Sequence, residues 1–144
     1  MHHYLVVAHQ TLDSPQLLEV LRDRASRGPA TFHLVVPEWH GNGLTWSEGQ
    51  VRLEAARRLE EARQRFLAEG IQVTGEVGHS NPVQSVNNVL LRTGHDHFTE
   101  IIVSTLPNLN RFFRAYVSGR FFGKGKRARI IKRTQRSWRL GESQ

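Results

Sequence analysis

The apolar positions along the chain fall into two kinds of pattern. Tyr4-Leu5-Val6-Val7-Ala8 is an unbroken apolar run of β formers, which predicts a strand buried on both faces, as in a parallel sheet. Residues 31–36, Thr-Phe-His-Leu-Val-Val, predict a second strand ended by Pro37, and residues 99–104, Thr-Glu-Ile-Ile-Val-Ser, a further one. Residues 71–77 alternate and predict the strand between these two. The segments that separate the strands carry apolar residues at helical spacing: Leu17, Leu18, Leu21 and Ala25; then Val51, Ala55, Leu59, Ala62 and Phe66; then Val83, Val86 and Leu90. Each helix has start and stop chemistry. Asp13-Ser14-Pro15 and Asn81-Pro82 supply a capping side chain followed by proline, Thr45 and Glu48 have capping-box spacing, and Gly28, Gly70 and Gly94 end the three helices.

The order β-α-β-α-β-α-β predicts a doubly wound α/β fold with a mostly parallel sheet, right-handed crossovers and helices on both faces. Ligands bind such sheets beyond the carboxyl ends of the strands, at the topological switch point. The loops that meet this condition are Ala8 to Leu12 and Ser104 to Asn110. Beyond Pro107, residues 109–122 predict a helix with Leu109, Phe112, Phe113, Tyr116 and Val117 on its apolar side. Residues 127–133 predict a cationic fifth strand, and residues 134–144 a tail on which Trp138 and Leu140 offer docking groups. The domain organisation expected is one α/β domain over residues 1–123 and a basic extension over 124–144.

Charge changes this picture more than composition does. The 144 residues suit one domain with a substantial core. Apolar runs of about five residues are too short to span a bilayer, and Met1-His2-His3-Tyr4 lacks the basic start of a secretory leader. Cysteine is absent, which excludes disulfides and thiolate chemistry and fits a cytoplasmic protein. Residues 1–104 hold 9 Lys+Arg and 12 Asp+Glu, whereas residues 105–144 hold 11 Lys+Arg and the single acid Glu142. The formal charge of +7 is therefore a property of the C-terminal end.

With the segments in this order the chain resembles the universal stress protein family. Tyr4-Leu-Val-Val-Ala8 resembles the first strand of that family and Phe32-His-Leu-Val-Val-Pro37 its second. Val77-Gly-His-Ser-Asn-Pro-Val83 is similar to the turn into its third helix, and Glu100-Ile-Ile-Val-Ser-Thr105 to the strand before its phosphate loop. The resemblance covers roughly residues 4–122 and implies a Rossmann-like, five-stranded parallel sheet of order 3-2-1-4-5, with ATP or another adenine nucleotide as ligand and the fifth strand used in a homodimer. Nucleotide-binding members carry glycines in the loop after the fourth strand, where backbone N–H groups close around phosphates. This chain has Ser104-Thr-Leu-Pro-Asn-Leu-Asn110 there, and only Ser118-Gly119 remains near the end of the motif. His9 stands where the family places an aspartate, and Val36 matches the valine that lines its adenine pocket. Ala8, His9, Gln10, Thr11, Val36, Ser104, Thr105, Asn110, Ser118 and Gly119 are the candidate pocket residues.

No nucleophile elbow, Walker loop, G-x-G-x-x-G or zinc-protease motif is present, and the candidate catalytic residues are none. His95-Asp96-His97 offers two imidazoles, too few for a closed metal site. The expected function is a non-enzymatic stress or regulatory protein with a vestigial or altered nucleotide pocket. The alternative is an interaction module that binds nucleic acid or another polyanion through Arg111, Arg114, Lys124, Lys126, Arg127, Arg129, Lys132 and Arg133. Arg129 and Lys132 flank Ile130 and Ile131, and such charges disfavour pairing of an exposed edge strand with its own copy.

Overall fold

A computed structural model describes residues 1–9, 11–39, 47–94 and 96–105, and the backbone of residues 127–132 and 140–143. The elements run β1 (His2–Val7), α1 (Pro15–Ser26), β2 (Ala30–Pro37), α2 (Glu48–Ala68), β3 (Val73–Gly78), α3 (Pro82–Thr93) and β4 (Glu100–Thr105). These four strands are parallel, in the order β3-β2-β1-β4. Two short backbone strands continue the ladder, β5 (Arg127–Lys132) parallel to β4 and β6 (Leu140–Ser143) antiparallel to β5. The stretch read as a tail thus contains a strand. It takes the outer side of β5, so β5 is not the exposed edge that its charges were expected to protect. The helix expected over residues 109–122 lies outside the described residues.

The alternation of strand side chains divides the core in two. Tyr4, Val6, Phe32, Leu34, Val36 and Ile102 face α1 and α2, where they meet Leu17, Leu21, Ala55, Ala62 and Phe66. Leu5, Val7, Val35, Ile101 and Val103 face α3, against Val86, Val89 and Leu90. Helices therefore cover both faces, and β1, β2 and β4 are apolar on both sides for that reason. No described helix is long and apolar enough to cross a membrane.

The helix ends follow local chemistry. Ser14 caps α1 by accepting from the Leu17 N–H, and Asn81 caps α3 by accepting from Val83 and Gln84. In α2 the capping box is formed by Ser47 and Gln50, two residues later than the expected Thr45 and Glu48. Ser47 has the same spacing to a glutamine, and both of its reciprocal bonds form. Gly70 has φ +79° beyond the end of α2, a conformation that favours glycine.

One buried position departs from the predicted stripe. Ala25 is exposed, and Arg24 completes the inner face of α1 after Leu17, Val20 and Leu21. Its guanidinium is 1% exposed and grips Glu100 at the start of β4 with two bonds, Nε–Oε1 2.7 Å and Nη2–Oε2 3.2 Å. Asp23 adds a second carboxylate to the same guanidinium. An arginine is accepted in the core because fork-shaped pairing meets its hydrogen-bonding needs.

Removing one partner of such a pair strands the other charge in the interior. Glu100→Ala is expected to lower unfolding stability by about 3 kcal/mol, measured by urea denaturation at neutral pH. A loss below 1 kcal/mol would show that Arg24 finds solvent or another partner.

Candidate functional site

The chain runs from β1 to β2 on one side, while β4 returns to the other side of β1. The switch point is thus the gap between the carboxyl ends of β1 and β4. Ala8 extends the ladder one step by donating to the Val35 carbonyl, at 3.2 Å. The chain then turns, with Leu12 N–H donating to the His9 carbonyl and Ser14 N–H to that of Thr11.

Thr11 closes the gap. Its hydroxyl Oγ1 donates to the Ser104 carbonyl at 2.8 Å and lies 2.6 Å from Ser104 Oγ. Both residues are buried. Two of the predicted site residues, 93 positions apart, are therefore brought together, but their hydroxyls engage each other. Ala8 and Val36 are fully covered within the core on the α1/α2 side. Thr105 ends β4. Gln10, Asn110, Ser118 and Gly119 lie outside the described residues, as do Arg111, Arg114, Lys124, Lys126 and Arg133. Arg127, Arg129 and Lys132 lie on β5.

His9 is the exception to this closure. It is 9% exposed, and neither Nδ1 nor Nε2 has a hydrogen-bond partner among the described residues. Its ring lies 5.7 Å from that of Trp39, which follows β2. The imidazole pKa is pushed down to about 4, first by burial and then by the Arg58 guanidinium on α2, with the Glu54 carboxylate acting in the opposite direction. At neutral pH His9 is uncharged, so it presents one N–H donor and one bare acceptor nitrogen. The Arg58 Nε is also buried without a partner among the described residues.

Arg58 was not legible as a site residue, because it sits in the charge-rich sequence of α2 and periodicity marks such positions as solvated. The signal that finds it is three-dimensional: a buried donor left unpaired beside a second unpaired buried group.

The remaining candidates carry less. His97 stacks on His3 at 4.8 Å, while His3 Nδ1 pairs with Thr31 Oγ1 at 2.6 Å. No group of three or more metal-ligating side chains occurs among the described residues. A groove of about 400 Å³ opens between α2 and the amino ends of β2 and β3, lined by Phe32, Glu60, Arg63, Gln64 and Leu67 among others. It lies at the other end of the strands from His9, and none of its polar side-chain atoms is buried without a partner. No protein-family model and no curated protein matches this chain.

The position of His9 makes a measurable demand on stability. An unfolded-chain histidine titrates near 6.5, whereas folded His9 titrates at about 4. Between these values the unfolded state binds a proton that the folded state refuses, so stability falls as pH drops through this window. His9→Leu is expected to remove about 2 kcal/mol of the stability lost between pH 7 and pH 4.5, read by urea unfolding at both pH values. An NMR titration of the wild-type imidazole should place its midpoint near 4; a midpoint above 6 would mean that the ring is solvated or paired.

Proposed function

We propose that the chain is a non-enzymatic stress or regulatory protein of the universal stress protein type. In this reading the domain is doubly wound and Rossmann-like with five parallel strands, and its nucleotide pocket is altered. The observation that carries the reading is the mutual bond of Thr11 and Ser104. It fills the switch point where the resemblance would put a nucleotide. Support also comes from the strand order β3-β2-β1-β4 and from helices on both faces. The loop after β4 has Pro107 where a glycine would leave an N–H free, which removes a donor from any phosphate cradle. Neither ring nitrogen of His9 bonds a carboxylate or carbonyl that would fix its tautomer among the described residues, and such a bond is what orients a general base.

The test is isothermal titration of the nucleotide-stripped protein with ATP and Mg²⁺ at low and moderate salt. The expected result is no saturable one-to-one binding in the micromolar range. Binding that is tight, one-to-one and independent of salt would overturn the reading.

A second reading is favoured by the segregation of charge. Eleven of the twenty Lys+Arg residues fall after Ser104, with one acid among them. We infer for this end a weak, sequence-independent affinity for nucleic acid or another polyanion. Counterion release makes such binding collapse with salt. Fluorescence anisotropy with a labelled oligonucleotide should show at least a tenfold loss of affinity between 50 and 200 mM salt, as expected for several phosphate contacts. Replacing Lys124, Lys126 and Arg133 by Gln should reduce binding further, and a salt-insensitive affinity would exclude this reading.

A further inference from the structure

We propose that His9 and Arg58, beside Trp39, form a site for a phosphate group, either free or as a monoester. Three unpaired polar atoms, His9 Nδ1, His9 Nε2 and Arg58 Nε, are the only buried side-chain nitrogens or oxygens without a partner among the described residues, and two neighbouring residues hold all of them. Native interiors rarely leave such atoms unmet, and an unmet one points to a group that the protein alone does not supply.

The chemistry of these atoms selects the ligand. The neutral imidazole offers one donor and one acceptor, and the Arg58 Nε–H a second donor. The two ring nitrogens point away from each other, so one ligand group reaches only one of them. An oxyanion can accept from the imidazole N–H and from the Arg58 Nε–H through separate oxygens, with the second ring nitrogen left to water. A phosphate group supplies three such oxygens together with the negative charge that suits Arg58.

Charge points the same way. Arg58 has no ion-pair partner among the described residues. Glu54, one turn earlier in α2, has both carboxylate oxygens bonded to Arg57, at 2.6 and 2.9 Å. Glu38, next to Trp39 in the chain, is paired with Arg52 at 3.1 Å. Arg58 is then a cation beside a neutral donor–acceptor ring, with Glu54 a carboxylate that acts on both and the Trp39 ring 5.7 Å from that of His9. An anion bound here would also relieve the repulsion between Arg58 and a protonated His9.

The site differs from the Thr11–Ser104 gap, where the two hydroxyls already bond each other. The proposal rests on the altered-pocket reading only for its place at the strand ends, and the two fail separately. Tight ATP binding together with a phosphate response at His9 removes that reading alone. Absence of both removes this proposal alone.

The experiment is an NMR titration of the ¹⁵N-labelled full chain with inorganic phosphate, and separately with phenyl phosphate, at constant ionic strength held with chloride. Saturable shifts of the His9 ring and the Trp39 indole are expected, with the His9 pKa raised once phosphate is bound. Arg58→Gln should weaken binding at least tenfold. Arg92→Gln, on the α3 face and paired with Glu76, should leave it unchanged. Tighter binding of inorganic phosphate identifies the free ion as the source; tighter binding of phenyl phosphate identifies an ester whose ring lies on Trp39. Should Arg58→Gln fail to give a folded spectrum, His9→Asn replaces it, with the same loss expected at Trp39. A linear, non-saturating response, or equal affinity in the Arg58 or His9 variant, overturns the proposal.

Discussion

Burial of three strands on both faces is the constraint from which the rest of this architecture follows. Leu5, Val7 and Val35 point to one side of the sheet, and Val6, Leu34 and Val36 to the other, all nearly without solvent contact. Burial of each such side chain is worth roughly 1.5–3 kcal/mol, and neither face can be left open without losing several of them. Helices must therefore cross on both sides. Right-handed crossovers then place α1 and α2 on one face and α3 on the other, which makes the chain reverse direction between β1 and β4. The gap at the strand ends is a by-product of that reversal.

The protein treats the two sides of this gap differently. On the β4 side, the hydroxyls of Thr11 and Ser104 bond each other. On the α2 side, His9 and Arg58 keep buried nitrogens unpaired at a cost of about 1–3 kcal/mol each. The unpaired nitrogens thus set the second side apart from the first. Only the second has polar capacity left to offer.

Much of the fold was legible because its signals are local. Unbroken runs such as residues 4–8, caps such as Ser14 and Asn81, and the stops at Gly28, Gly70 and Gly94 depend on a few neighbouring residues. Where the structure departs from the pattern, a distant partner is responsible. Arg24 is an inner residue because Glu100, 76 positions away, meets its guanidinium, and no periodicity of α1 encodes that. His9 and Ser104 were found from strand-end position, yet the Thr11 bond that occupies Ser104 joins residues 93 apart. Arg58 stayed hidden because a helix rich in Arg and Glu looks evenly solvated until one covered, unpaired Nε is seen among its side chains.

The strand order also has a temporal side. β1 is synthesised first and lies inside the sheet, with β2 on one side and β4 on the other. Its first partner arrives after a short loop and helix, but Tyr4 pairs with Glu100, nearly a hundred residues later. During synthesis one side of this apolar strand thus stays without its neighbour until β4 has been made. Pairing over such a separation is slow, because loop closure precedes any gain from contact. The same strand that anchors the finished core is the one most in need of shielding while the ribosome is still at work.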